Sequence, residues 1–141
     1  MIILDTNVVS ELMRPEPDEN VSRWIAKRKT ISLAVTAITL AEIHRGLSPL
    51  PGGKRRKDLE ARFSAFIRDG FNSRILPFDE YAAAAYGGIA AGREAKGLHC
   101  DAVDLMIAAI AANYDATIAT RNTGDFEGCG VKLVNPWEPR G

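Results

Sequence analysis

The chain has 141 residues, 46% of them hydrophobic and 26% charged, which excludes a disordered polymer and suits one globular domain, residues 1–141, that buries roughly two thirds of its unfolded surface. Its 18 basic residues balance 18 acidic ones, so no global positive field draws in polyanions, and any nucleic-acid contact must come from local patches. The longest apolar stretch, Leu105 to Ala112, is too short to span a bilayer, and the lack of a basic leader before the opening IILD predicts a cytoplasmic protein.

In chain order, Ile2, Ile3 and Leu4 have the continuous hydrophobicity of a strand buried on both faces, and the run stops at Asp5. Thr6 or Asn7 can cap the helix that Val8, Val9, Leu12 and Met13 suggest, which places Asp5 between strand end and helix start. Pro15 and Pro17 break the chain, and Asp18 can cap a second helix through Val21, Trp24 and Ile25 to Lys29. Ile31 to Val35 reads as a second buried strand. Thr36 or Thr39 starts a third helix, with Ile38, Ile43 and Leu47 along its apolar side, and the PLPGG stretch beginning at Pro49 is a loop within the domain.

Lys54 to Asp69 is amphipathic, with Leu59, Phe63, Phe66 and Ile67 at helical spacing. The KRRK cluster at its start opposes the helix dipole and reads as a solvated charge run, the alternative being a contact with RNA or a partner. Arg74 to Phe78 is extended. Asp79 caps an Ala-rich helix that ends at Gly97, and Gly87 and Gly88 within it mark a packing surface, inside one protomer or between two. Asp101 opens a helix to about Asn113; Thr117 to Thr120 is a strand, 122–130 a loop, and Val131 to Val134 a last strand. Short apolar strands alternating with helices predict an α/β fold, a mostly parallel sheet of four to five strands sandwiched by helices. Cys100 and Cys129 form no CxxC and have no His at zinc-ligand spacing, so both are expected as reduced thiols.

Four acids fall near predicted element ends: Asp5, Glu42, Asp104 and Asp125. Parallel strands all end on one side of the sheet, so these carboxylates converge. Each alone has a bland explanation: Thr39-x-x-Glu42 and Asp101-x-x-Asp104 fit capping boxes, Asp125 can turn a loop, and Asp5 can accept from the amides after it. Together they repel and raise one another's pKa unless a cation sits among them. Hard oxygen ligands without His or Cys select Mg²⁺ or Mn²⁺ over zinc.

The blocks ILDTNVVSEL, SLAVTAITLAEIHRGL, RILPFD, DAVDLMIAAIAA, TIATRNTGDF and VNPW run along nearly the whole chain, and in them the sequence resembles PIN-domain proteins, specifically VapC-like toxins and their FitB-like relatives. The resemblance implies a three-layer α/β/α PIN fold, Mg²⁺-dependent endoribonuclease activity, homodimerisation with a higher toxin–antitoxin assembly as an option, and inhibition by a VapB-like antitoxin. It assigns Asp5, Glu42 and Asp104 to the family's acids. The fourth position is Asn122, where similar relatives place an Asp, or Asp125 slightly later.

On this reading Asp5 and Asp104 hold one Mg²⁺ directly, and Glu42 with Asn122 or Asp125 helps through water or a second ion; water then attacks the RNA phosphodiester in line. Thr6, Asn7 and Thr120 fix carboxylate geometry. Arg45, Arg93, Arg121 and the KRRK cluster are candidates for gripping the RNA backbone. Two other classes stand beside it. A phosphatase with Asp5 as covalent nucleophile usually needs a second carboxylate two residues on, where this chain has Asn7; a non-catalytic PIN module that binds RNA or a protein partner is favoured if Asn122 disables metal binding.

Overall fold

The structure, a computed structural model, describes residues 1–49, 51–71 and 74–139. Five strands, β1 (Ile2–Leu4), β2 (Leu33–Thr36), β3 (Ile75–Leu76), β4 (Thr117–Ala119) and β5 (Lys132–Val134), form one sheet in the order β3-β2-β1-β4-β5. Every neighbouring pair is parallel, with Ile2 beside Leu33 on one side and Thr117 on the other. The helices are α1 (Thr6–Leu12), α2 (Glu19–Ala26), α3 (Ala37–Leu47), α4 (Lys54–Phe71), α5 (Glu80–Ala95) and α6 (Ala102–Asn113), with 3₁₀ turns at Thr30–Ser32 and Thr123–Asp125. Leu50 of the PLPGG loop and residues 140–141 of the tail lie outside the described residues.

Strand side chains alternate between two cores, as a period of two requires. Ile3, Ala34, Leu76 and Ile118 pack under α5 and α6, whereas Leu4, Leu33, Val35 and Ala119 pack with Val8, Val9, Trp24, Ile43, Phe63, Ile67 and Phe71 of α1 to α4. Crossovers between parallel strands keep one hand, so reversing the direction of travel across the sheet moves the connecting helices to the other face. The chain steps from β1 to β2 to β3, then returns through α5 and α6 to β4 beyond β1. The reversal lies between β1 and β4, where an open α/β sheet leaves a crevice at its carboxyl edge.

Some boundaries depart from the sequence expectation. The second strand begins at Leu33, because Thr30–Ser32 wind into a 3₁₀ turn that leaves Ile31 75% exposed. The Arg74 guanidinium donates to the carbonyls of Ile31 and Leu33, at 2.8 and 2.7 Å, and holds that turn against β3. Helix α2 closes at Ala26, before the basic Lys27–Lys29, and α4 runs on to a buried Phe71. The cap of α1 is neither Thr6 nor Asn7 but Asp5 itself, whose side chain accepts from the Thr6 amide at 2.8 Å.

Asp79 caps α5 as expected, and at its far end Leu98 N–H donates to Arg93 C=O and Gly97 N–H to Glu94 C=O, both at 3.0 Å. This closure needs a left-handed residue, supplied by Gly97 at φ 69°. Gly87 and Gly88 have open space around them: a Cβ at either meets nothing within 4 Å. The packing surface expected there is therefore not used inside this chain.

Candidate active site

The centre is built at the crevice. Asp5 follows β1 and is 5% exposed; its amide donates to Ala119 C=O at 2.9 Å, continuing the ladder to β4. One carboxylate oxygen accepts from Thr6 N–H, and the other from the Thr120 hydroxyl at 2.8 Å and the Asn7 amide at 3.2 Å. Thr120, just past β4, is fully buried and also accepts from Asn122 N–H at 3.0 Å. Three donors from two strand ends therefore fix the Asp5 carboxylate in one orientation.

Glu42 comes from α3. Its carboxylate accepts from the Thr6 hydroxyl, which lies 3.1 Å from the Thr39 hydroxyl. The cap of α3 is Thr36, accepting from Thr39 N–H at 3.1 Å. The capping-box reading of Thr39 and Glu42 is thereby overturned: Thr39 serves as the third residue of the turn, and Glu42 is free to face Asp5 across Thr6. A chain of buried threonines (Thr36, Thr39 and Thr120) lines this edge, a role that the sequence reading missed for Thr36 and Thr39. Its signal was three threonines at strand ends and helix starts, where a hydroxyl both donates and accepts.

Asp104 sits in the first turn of α6, half-buried, while Asp101 caps that helix by accepting from Asp104 N–H at 3.0 Å. Burial, and then the neighbouring charges of Asp101, Asp5, Asp125 and Glu42, push the Asp104 carboxyl from the ordinary 3.8 to about 7. Asp5 is also pushed up, chiefly by burial and further by Glu42, against the lowering effect of its bonds to Thr120, Thr6 and Asn7. The carboxylates separated in sequence thus feel one another in space. None takes part in an ion pair among the described residues, whose salt bridges are Arg14–Glu11, Arg23–Glu19, Arg56–Glu60 and Arg68–Asp69.

Asp5 and Asp104 therefore hold a proton more readily than free carboxylates do, and a cation between them would reverse that. Among the described residues, no three His, Cys, Asp or Glu side chains stand close enough together to hold a metal ion by themselves. The donors here are carboxylate oxygens, and a hard divalent ion that takes one or two carboxylates and keeps several waters would suit them. Proton linkage gives a check on this crowding. Asp104 is protonated in the folded chain up to about 7, so its stabilising contribution is present below about 4 and lost as pH rises toward 7.

The other expected residues fall as follows. Asn122 is exposed, and its amide braces Thr120; Asp125, also exposed, ends the 3₁₀ turn after β4, and its charge reaches Asp104. Arg45 is exposed on α3, one turn beyond Glu42. Arg121 is exposed and follows Thr120. Arg93 corrects the expectation of an RNA contact: it is 3% exposed, donates to His99 C=O at 3.1 and 2.6 Å and also to Glu127 C=O, and so ties the end of α5 to the segments before α6 and β5. An arginine emptied of water in this way has no donor edge left for phosphate. Cys129 is buried and its thiol is pushed up by that burial, in keeping with a reduced cysteine.

A groove of about 1030 Å³, lined by none of the four acids, runs between the end of α1 and α4, with Leu12, Met13, Leu59 and Phe66 apolar and Lys54, Arg55, Arg62 and Asp58 charged. Among the described residues, no helix is long and apolar enough to cross a membrane.

Comparison with known proteins identifies the family and the fold. The sequence profile described as PIN domain matches residues 2–128. A VapC ribonuclease, Y4jK of Sinorhizobium fredii, is 40% identical over 99% of this chain and 99% of its own length. A chain of the FitAcB crystal structure from Neisseria gonorrhoeae superposes with a TM-score of 0.90 at 41% identity, covering 98% of this chain and 99% of that one. VapBC2 from Rickettsia felis, bound to a DNA fragment from its promoter, gives 0.75 at 27% identity over 96% of this chain and 98% of that one.

Proposed function

The chain belongs to the PIN-domain family, and from that premise we propose that it is the toxin of a toxin–antitoxin pair, an endoribonuclease that hydrolyses RNA phosphodiester bonds with Mg²⁺, or Mn²⁺ in its place. The observation that carries this reading is the convergence of Asp5, Glu42, Asp104 and Asp125 on one sheet edge without a compensating cation.

Asp5 and Asp104 would hold the ion, and Glu42, turned by Thr6, would help with Asn122 or Asp125 through water or a second ion. When bound, the ion supplies charge neutralisation at the scissile phosphate and activation of water at neutral pH. Thr120, Asn7 and Thr6 keep the Asp5 carboxylate from rotating, which preserves an attack geometry that a loose carboxylate would lose. Asp104 would have to give up its proton to bind the ion, so loading would be favoured as pH rises. Arg45 and Arg121 meet the RNA backbone.

The partner is a VapB-like antitoxin. The solved relatives are toxin–antitoxin assemblies, and the groove between α1 and α4, with apolar residues and more basic than acidic ones in its lining, offers a seat to an amphipathic, acid-flanked segment. The open Ala/Gly face of α5, with Tyr81 66% exposed beside it, supports a homodimer.

The test is RNA cleavage by purified protein stripped with EDTA and resupplied with Mg²⁺: activity is lost and regained, and Asp5→Asn abolishes it, because a direct ligand costs more than the 10–100-fold typical of its supporting partners. Cleavage that survives both EDTA and Asp5→Asn contradicts the assignment. A phosphatase with Asp5 as nucleophile finds no support, since Asn7 occupies the place of its second acid and spends its amide on Asp5.

A further inference from the structure

Arg121 follows directly on Thr120, which holds Asp5, yet its side chain pairs with no carboxylate among the described residues. The strand alternation explains how it is kept away. Thr120 turns in toward Asp5, and the next side chain leaves on the opposite side of the sheet edge, where the Arg121 guanidinium carbon lies 5.0 Å from the centre of the Trp137 ring. Arg121 is anchored at its backbone too, its amide donating to the Asn7 side-chain oxygen at 3.3 Å, while Asn7 donates to Asp5.

Trp137 is itself fixed. Its amide donates to the Asn135 side chain at 2.9 Å, its carbonyl accepts from the Asn20 side chain at 2.9 Å, and its ring packs on the core under α1 to α4. Stacking consumes the face of a guanidinium and leaves its in-plane N–H donors available. No hydrogen bond from the Arg121 side chain to another described residue competes for them. A planar cation held over an indole with its donor fork free, one residue from the threonine that holds Asp5, is suited to two oxygens of a phosphate.

We propose that Arg121 and Trp137 form a phosphate clamp beside the acid centre, in which the indole fixes the guanidinium plane and the free N–H edge receives the RNA phosphate next to the one being cleaved. Trp137 is a positioning residue and touches no reacting atom. The clamp rests on the ribonuclease reading above, and deepens it by assigning a substrate subsite.

The experiment measures cleavage of a single-stranded RNA oligonucleotide by wild type, Trp137→Ala, Trp137→Phe, Arg121→Lys and Arg121→Ala. Trp137→Ala raises KM roughly three- to tenfold, more than it lowers kcat, and Trp137→Phe recovers most of that loss. Arg121→Lys, a surface change that keeps the charge, still raises KM because fork and stack are gone. Arg121→Ala lowers the slope of log affinity against log salt by about one.

A second readout needs no activity. In a Trp24→Phe background, Trp137 emission responds to a single-stranded DNA oligonucleotide, which offers the same phosphates, and Arg121→Ala removes the response. Unchanged KM in Arg121→Lys and Trp137→Ala, or an emission response that survives Arg121→Ala, overturns the clamp. A wild-type protein that cleaves no RNA with Mg²⁺ present overturns the ribonuclease reading instead, and the emission titration then judges the phosphate clamp separately.

Discussion

Asp104→Asn abolishes RNA cleavage and, in the same protein, raises the melting temperature of the metal-free fold at neutral pH. Both outcomes have one cause. Asp104 is pushed to about 7 by burial and by the charges of Asp101, Asp5, Asp125 and Glu42, so above that pH the folded chain carries a carboxylate that its surroundings disfavour. Asparagine keeps the shape and removes the charge, which relieves the crowding but deletes an ion ligand; the loss of cleavage exceeds about 100-fold for the same reason as at Asp5. Stability and activity move in opposite directions, as at other sites where charge is concentrated for chemistry. Thermal melts with and without Mg²⁺ across about pH 4 to 8 check it. Wild type is stabilised by Mg²⁺ at the upper end and by protons at the lower, and the variant loses most of both responses. A variant that melts lower than wild type while still gaining from Mg²⁺, or that still cleaves, contradicts the assignment.

Arg93→Ala has the largest expected effect on stability. The guanidinium is 3% exposed and bridges His99 C=O and Glu127 C=O. Truncation leaves those carbonyls without their donors and opens a void under the turn that leads into α6. Hydrogen bonds from a charged donor contribute about 1.5–3 kcal/mol each and an orphaned buried acceptor costs about 1–3, so a loss of about 3 kcal/mol or more follows, and a melting temperature lower by roughly 10 °C. Urea unfolding reads it as a lower midpoint at unchanged slope. Cleavage by the surviving folded fraction falls less than in Asp104→Asn, since Arg93 touches none of the acids directly. A surface arginine that grips RNA would show the reverse pattern: unchanged midpoint and weakened, salt-sensitive binding.

The sheet edge was legible because strand ends announce themselves. Ile2–Leu4 stops at a charge, Thr117–Ala119 stops at Thr-Arg-Asn, and parallel pairing makes both ends neighbours. What stayed hidden is what only the third dimension specifies. Glu42 fits a capping box by spacing, yet its partner is Thr6, 36 positions away. The cap of α1 was displaced by one residue because Asp5 serves both helix and site, a double use that local propensity does not reveal. Arg93 read as a surface cation because arginine is almost never fully buried unless its donors are satisfied, and here two loops supply backbone carbonyls that no spacing predicts. Ile31 read as strand core, but the 3₁₀ turn before β2 turns it outward. The partnership of Arg121 with Trp137 joins residues on either side of the last strand, and neither sequence neighbourhood suggests the other.

The most direct measurement is anomalous diffraction from crystals soaked in Mn²⁺, an ion that shares the oxygen preference of Mg²⁺ and is visible above the protein. A peak bonded by Asp5 and Asp104, with Glu42 and Asp125 facing it, is the expected result. No peak in that crevice, from protein that cleaves RNA in the same Mn²⁺ buffer, would contradict it.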